Sequence, residues 1–457
     1  MKKIFFIMLL ATLVFMLVSC TSNDDLELDD LPSDNDSSVS VIGQEDQMVS
    51  EVIYPHDEVV EVNIDIDESV YSQLVLSAME ETYYVCNITY NGYTLNDVAI
   101  RTKGNSSLRD VIQAGGDRFS YNIDLNYYQD QDLFGIDKII LNNLYSDPTM
   151  MVEYLTYEAL ASLDTVSSRT TFVALSINNE YYGLYLSVEQ VGNEFLDQNF
   201  GNSDDALYKP DSGLGVNLNY VSDTTAYTGL IDKNNEDSDN EDIINLMKTI
   251  ASGEPLDDVF DVSSYLKYLA VSTYTVNLDS YQGGIYHNYY LYLNQGVFEW
   301  VAWDLNMAFN GFLMMPLTDS QAVSFLIDEP VVGALSNSAL NDAILSQESY
   351  LEEYHTYMQT LLDTYFKADS FEERVLEVKD MIDSYVETDL NSFYTYEAFE
   401  NACSTSTENA YSIIEFVEKR SQNVQAQLLG TIPSTNNGQG NIIDGGNTRP
   451  PFVPGRP

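Results

Sequence analysis

Tyr83-Tyr-Val-Cys-Asn-Ile-Thr-Tyr-Asn-Gly92 reads as a β-strand that runs into a tight reversal. Aromatic and β-branched side chains recur through Tyr90, and Asn91-Gly92 offers two residues that accept the positive φ of a two-residue hairpin turn. Working outward, a period of two recurs in Val59–Ile66, in Tyr121–Leu125, and in Thr171–Ile177 with Tyr182–Val188, joined through Asn178 to Tyr181. One helix interrupts this half: Met151, Leu155, Ala159 and Leu160 follow at helical spacing behind Ser146-Asp-Pro148, where serine caps and proline suits a first turn. The second half changes period. Residues 258–277 read as helix, Tyr289–Leu293 and Phe298–Ala302 as a second hairpin around Asn294-Gln-Gly296, and 340–430 as nearly continuous helix. The expectation is an α+β fold with a sheet-rich N-terminal part holding one helix and a helix-rich C-terminal part, the cleft between them being a natural ligand site.

Charge narrows the function. The chain of 457 residues carries 19 Lys and Arg against 72 Asp and Glu, a formal net charge of −53. Such a surface repels nucleic acid and anionic bilayers at long range and admits divalent cations, basic peptides and cation-bridged anions. With 44% hydrophobic and 12% aromatic residues the chain is no disordered acidic tail.

The N-terminus reads as an address. Lys2-Lys3 precede an apolar run from Ile4 to Val18, and Leu17-Val-Ser-Cys20 is similar to a bacterial lipobox, which makes Cys20 the expected lipidation site and tether to a membrane. Fifteen apolar residues are short for a bilayer-crossing helix. The expected layout is a signal peptide at 1–19, an acidic spacer at 20–52, a folded domain at 53–430 and a mobile Asn/Gly/Pro-rich tail at 431–457. Cys86 and Cys403 either stay as buried free thiols or form a bridge; no zinc-type spacing is present. His56, His287 and His355 lie far apart, which weakens a metallohydrolase reading.

Scarce cations cluster. After Lys3 none occurs until Arg101, and Arg101, Lys103, Arg109 and Arg118 then fall within eighteen residues. Arg101-Thr-Lys-Gly-Asn-Ser-Ser107 combines point charge, backbone N–H groups and hydroxyls, the ingredients of a phosphate site; it reads equally as a polar turn. At the second hairpin, Asp279 precedes the first strand and Asp304, in Trp303-Asp-Leu-Asn306, follows the second, so folding brings the two carboxylates to one side together with His287 and Asn288. One carboxylate to orient a hydroxyl and another, with an amide, to hold Mg²⁺ is what phosphoryl transfer requires. Spacing alone serves a solvated loop as well.

The chain resembles the spore-coat protein H (CotH) kinase-like family through Arg101-Thr-Lys-Gly-Asn-Ser-Ser-Leu108, Asp117-Arg-Phe-Ser-Tyr-Asn-Ile-Asp124, Leu141-Asn-Asn143, Glu153-Tyr-Leu-Thr-Tyr157, Tyr182-Gly-Leu-Tyr185, Val188-Glu-Gln190, Leu207-Tyr-Lys-Pro-Asp211, Asp279-Ser-Tyr281, His287-Asn-Tyr-Tyr-Leu-Tyr292 and Trp303-Asp-Leu-Asn306, in order over roughly 55–425. The resemblance implies an atypical protein-kinase-like two-lobed fold. It also implies transfer of phosphate from ATP, with Mg²⁺, Mn²⁺ or Ca²⁺, to Ser or Thr of a surface or secreted protein. It makes Asp279 the catalytic carboxylate, Asp304 and Asn288 the metal ligands, and Glu153 the helix glutamate that pairs with a nucleotide-binding lysine. Arg101, Lys103, Arg118 and Lys209 are the cations left for phosphate, because Asn122 stands where the family has a lysine and Val152 where a cation commonly precedes the glutamate. Asn122 carries no charge, so a catalytically weak module that binds protein or polysaccharide, or a Ca²⁺-stabilised structural domain, competes with the kinase. Glu189 is either a ligand or a partner of Arg101 or Lys209, and Tyr289, Tyr290 and Tyr292 are expected to pack.

Overall fold

Asn91 and Gly92 both take positive φ, 46° and 83°, and close β2 (Tyr84–Tyr90) onto β3 (Tyr93–Lys103) as a two-residue hairpin. The structure, a computed structural model, describes residues 46–211, 216–223, 227–235, 238–312, 314–315, 317–407 and 410–442, and the statements below concern these. The expected signal peptide, Cys20 and most of the spacer fall outside them, as do residues 443–457. No helix among the described residues is long and apolar enough to cross a membrane.

β1 (Val59–Asp65), β2, β3, β4 (Ser120–Asp124), β5 (Lys138–Asn142), β6 (Thr170–Ile177) and β7 (Glu180–Val188) close into a barrel in the order β1-β2-β3-β4-β5-β7-β6. Closure comes from β1 pairing in parallel with β6, Val59 opposite Phe172 through Ile64 opposite Ile177. Alternation decides which side chains fill the barrel: Val60, Val62, Ile64, Cys86, Ile88, Ile100, Tyr121, Ile123, Ile139, Leu141, Val173 and Tyr185 form its core. The other face of β6 and β7 supplies Phe172, Leu184, Leu186 and Val188 to a second, larger core shared with the helices.

That larger core is built on Val152–Ala161, Val262–Tyr274, Glu348–Asp363, Ala368–Thr388 and Ile413–Leu428. A four-stranded sheet packs beside it in the order β11-β10-β8-β9, with β8 at Leu207–Pro210, β9 at Leu230–Asp232 and the expected hairpin as β10 (Tyr289–Asn294) and β11 (Val297–Ala302). The mixed α+β composition matches the expectation.

Several details differ from the sequence reading. The barrel half holds helices at Glu68–Leu76 and Ser106–Gln113 besides the expected one, and that one begins at Val152, not at Ser146. Asp147 does the capping: its carboxylate accepts the N–H groups of Thr149 and Val152, both at 2.8 Å. Order also extends past both expected borders. Val49 is buried, and residues 431–442 lie against 326–335, with Gly333 N–H donating to Asn441 O at 3.1 Å and Leu335 N–H to Gly438 O at 3.1 Å. Cys86 and Cys403 are both buried free thiols, and burial raises the pKa of each.

Candidate functional site

Because Ile100 points into the barrel, its neighbours Arg101 and Lys103 point out. Arg101 lies opposite Asn122 on β4 and Lys103 opposite Ser120, so all four share the outer face. On the next strand Leu141 points inward, which turns Asn142 out toward the same region. Lys103 Nζ donates to Asn142 Oδ1 at 2.7 Å, and Asn142 Nδ2 donates to Glu153 Oε2 at 2.8 Å. Asn142 thus bridges the lysine and the helix glutamate. Nothing in the spacing of Leu141-Asn-Asn143 marks Asn142 as this bridge, although the tripeptide belongs to the segments that carry the family resemblance.

Glu153 occupies the first turn of Val152–Ala161, where the positive helix end favours a carboxylate, and it is 2% exposed. Burial raises its pKa, and the nearby Asp304 carboxylate raises it further, against the opposing pull of Asn142 and Lys103. Burial likewise raises Asp304, which Lys103, Lys209 and His287 counter and Asp279 reinforces. One oxygen of each, Glu153 Oε1 and Asp304 Oδ1, is buried without a hydrogen-bond partner, as is Asn306 Oδ1. Burial lowers the pKa of Lys103, and the charges of Asp304 and Glu153 pull the other way; Lys209 follows the same pattern with Asp304 and Asp211.

Lys209 comes from β8, whose pairing with β10 sets its Nζ 5.1 Å from the Tyr290 ring centroid. Trp303 completes an aromatic floor, 6.0 Å from Lys103 Nζ and 5.9 Å from Lys209 Nζ. The remaining groups enter from the loop that leaves Val262–Tyr274 and from the ends of the hairpin. Asp279 Oδ1 lies 2.8 Å from His287 Nε2, and Asn288 Nδ2 donates to Asp279 Oδ2 at 3.3 Å and to the Asp279 backbone oxygen at 2.8 Å. Trp303 N–H donates to Asn288 O at 3.3 Å, which ties the two ends of the hairpin together. For His287 burial works against the proton, but the hydrogen bond and charge of Asp279, with the charge of Asp304, win and raise its pKa. Val276, Tyr286, Asn288 and Asp304 all hold positive φ. Valine in that region is sterically costly, and such strain concentrates where geometry serves chemistry.

Lys103, Glu153, Lys209, Asp279, Asn288 and Asp304 therefore meet in one neighbourhood, assembled from strand, helix, loop and hairpin. Arg101 belongs to the same electrostatic neighbourhood, but its guanidinium is paired with Glu81 and lies 5.4 Å from the Tyr83 ring centroid. Arg118, expected as a phosphate-binding cation, is instead held in a buried ion pair. It is 3% exposed and ion-paired to Asp389 at 2.6 Å, and it donates to the carbonyls of Asn143 and Leu184, so it locks structure and has no charge free for phosphate. Glu189 pairs with Arg169, Nη2 to Oε1 at 2.6 Å, and not with Arg101 or Lys209. The tyrosines pack as expected: Tyr289 stacks on Trp300 with centroids 4.2 Å apart.

The family model described as CotH kinase protein matches residues 100–424. The inner spore coat protein H of Bacillus subtilis (strain 168) is 25% identical over 348 residues, which is 73% of this chain and 87% of that protein. The match spans every residue of the cluster, and the chain belongs to the CotH kinase family.

Proposed function

We propose that the protein is an atypical, two-lobed protein kinase that transfers the γ-phosphate of ATP to a Ser or Thr hydroxyl of a surface or secreted protein, working outside the cytoplasm on a lipid tether at Cys20. The observation that carries the reading is the convergence of Lys103, Glu153, Lys209, Asp279 and Asp304 from five separate segments on one aromatic-floored site.

Phosphoryl transfer asks mainly for positioning and charge compensation. Lys103 and Lys209 hold the phosphates, and the Trp303 and Tyr290 faces help keep both ammonium groups in place. Asn142 and Glu153 fix the direction of Lys103 from behind. Asp279, its two oxygens steadied by His287 and Asn288, keeps a lone pair for the acceptor hydroxyl and takes its proton as the oxygen attacks. The buried, unpartnered oxygens of Asp304 and Asn306 fit a hard divalent cation such as Mg²⁺ or Mn²⁺, whose chemistry is to neutralise charge on the phosphate oxygens. Asp304 and Asn306 would hold it, with Asn288, the ligand the resemblance implies, tied beside them through Asp279.

The test is transfer of labelled phosphate from ATP, with Mg²⁺ or Mn²⁺, to the protein itself or to casein. Asp279→Ala is expected to reduce transfer by about 10²–10⁴-fold, the usual worth of a positioned base. Undiminished transfer in that variant would remove Asp279 from the reaction.

A second reading, a binding module without turnover, is favoured by Asn122, which is 7% exposed and hydrogen-bonded at 3.4 Å to Gln190 and to Tyr83. Lys103 sits one strand away on the same face and supplies the charge that Asn122 lacks. Asn122→Lys adds a third cation to that face and is expected to tighten ATP binding by about fivefold, roughly 1 kcal/mol, read by calorimetry. Unchanged or weaker binding would show that position 122 does not face the phosphates.

A further inference from the structure

We infer that residues 431–442 are a strap that sets the geometry of the loop carrying Asp279 and His287, and that Glu329 is the positioning residue that fastens it. This rests on the reading of that loop as the catalytic one. The strap lies beyond residue 424, where the family match ends.

Glu329 is 4% exposed, and its two carboxylate oxygens accept the N–H groups of Gly438 and Gly440, each at 2.7 Å. A buried carboxylate held by two backbone donors is a charge-assisted clasp with a defined direction. Asn441 closes the other side. Its Nδ2 donates to the carbonyls of Glu329 and Val331 at 2.9 and 3.2 Å, and its Oδ1 accepts Leu326 N–H at 2.9 Å. Gly440 has φ +59°, and a Cβ there would collide with the carbonyl of Gly333 and lie 2.8 Å from that of Val331. Only glycine fits this crossing.

The clasp continues into the site. Pro330, between Glu329 and Val331, accepts from Gln282 Nε2 at 3.2 Å through its carbonyl, and the same amide donates to Thr273 Oγ1 at 2.8 Å. Gln282 is 2% exposed and stands between Asp279 and His287 in the chain. Tyr286 OH donates to Asn337 O at 2.9 Å, and Leu340 N–H donates to Tyr281 OH at 3.1 Å. The loop has no slack of its own to absorb a shift, because a Cβ on Gly283 would overlap the carbonyl of Leu278. Strap, Glu329, Pro330 and Gln282 thus form one chain of contacts that ends three residues from Asp279. Lys103 and Lys209 hang on other elements and do not take part.

The experiment compares the full chain with Glu329→Gln, which replaces one accepting oxygen by an amide that cannot receive the second N–H. Hydrogen exchange is followed in peptides covering 278–288 and 431–442, with kcat and the KM for ATP measured beside it. Exchange is expected to accelerate by about tenfold or more in both segments, and kcat to fall by about tenfold while KM changes less than about twofold, since loss of orientation acts on turnover. Tyr90→Phe, which removes a buried bond from Tyr90 OH to Ile53 O in the barrel, is the stability control and should leave 278–288 unchanged. If Glu329→Gln does not fold, Asn441→Ala opens the same clasp more gently and is read in the same way. Release of 431–442 with unchanged exchange at 278–288 overturns the inference, as does an equal change in kcat and KM. Absence of any phosphate transfer by the parent chain would instead count against the kinase reading, and the exchange data would still decide whether the strap holds the loop.

Discussion

Asp304→Asn is expected to lower phosphoryl transfer by at least about 10³-fold, roughly 4 kcal/mol of barrier, without lowering the melting temperature. Asparagine is the informative replacement because position 304 holds φ 54°, which Asn tolerates and Ala resists. Removing this charge relieves Glu153 and Asp279 of a repulsive neighbour, so the folded state loses strain as it loses function. pH dependence follows from the same groups. Glu153 and Asp304 both have raised pKa values, so the folded chain holds their protons more tightly than the unfolded chain does. Their contribution therefore makes stability fall as pH rises from the ordinary carboxyl range up through the folded values. Melting curves in metal-free buffer should show that fall in the parent and a shallower one in Asp304→Asn. A steeper fall, or transfer within tenfold of the parent, would contradict the assignment of Asp304.

Asp389→Ala is expected to destabilise the fold by about 3–5 kcal/mol, because it leaves the Arg118 guanidinium buried without its counter-charge. The damage is concentrated where barrel and helices meet. Asp389, at the end of Ala368–Thr388, also accepts Leu184 N–H at 3.0 Å from β7, while Arg118 reaches the carbonyls of Asn143 and Leu184. Gly183 leaves room for this junction, since a Cβ there would collide with both charged groups. Arg118→Met with Asp389→Leu should recover most of the loss, as replacing a buried pair together commonly does. If the double variant melts as low as the single one, the loss lies in the backbone groups the pair satisfies, the Leu184 N–H and the carbonyls of Asn143 and Leu184, and not in the stranded charge.

Legibility tracked how local the physical cause was. The hairpins at Asn91-Gly92 and Gln295-Gly296 were readable because turn chemistry and alternation lie within a dozen residues. β8 and β9, of four and three residues, were not, since their pairing with β10 places them and no periodicity of their own does. The meeting of Asp279 and Asp304 followed from hairpin geometry; the resemblance gave Glu153 a lysine partner but left Arg101, Lys103, Arg118 and Lys209 open as the cation, and the link from Lys103 to Glu153 runs through Asn142. Arg118 misled because scarcity marked it as a free cation, while its partner lies 271 residues away. Residues 431–442 misled for the opposite reason. Their Asn/Gly composition is that of a loose tail, and what fixes them is backbone N–H bonding to one buried carboxylate.

Closure of the barrel has a further consequence. Because β1 completes the ring with β6, each of its seven strands has a hydrogen-bonded neighbour on both sides, and none is a full-length edge strand. In the small sheet β11 and β9 are the outer strands, and Phe260 already bridges β11 at Phe298. A polypeptide that meets the barrel therefore finds no full-length strand edge to extend. Side chains on its outer face can then be exchanged singly while the strand pairing stays untouched.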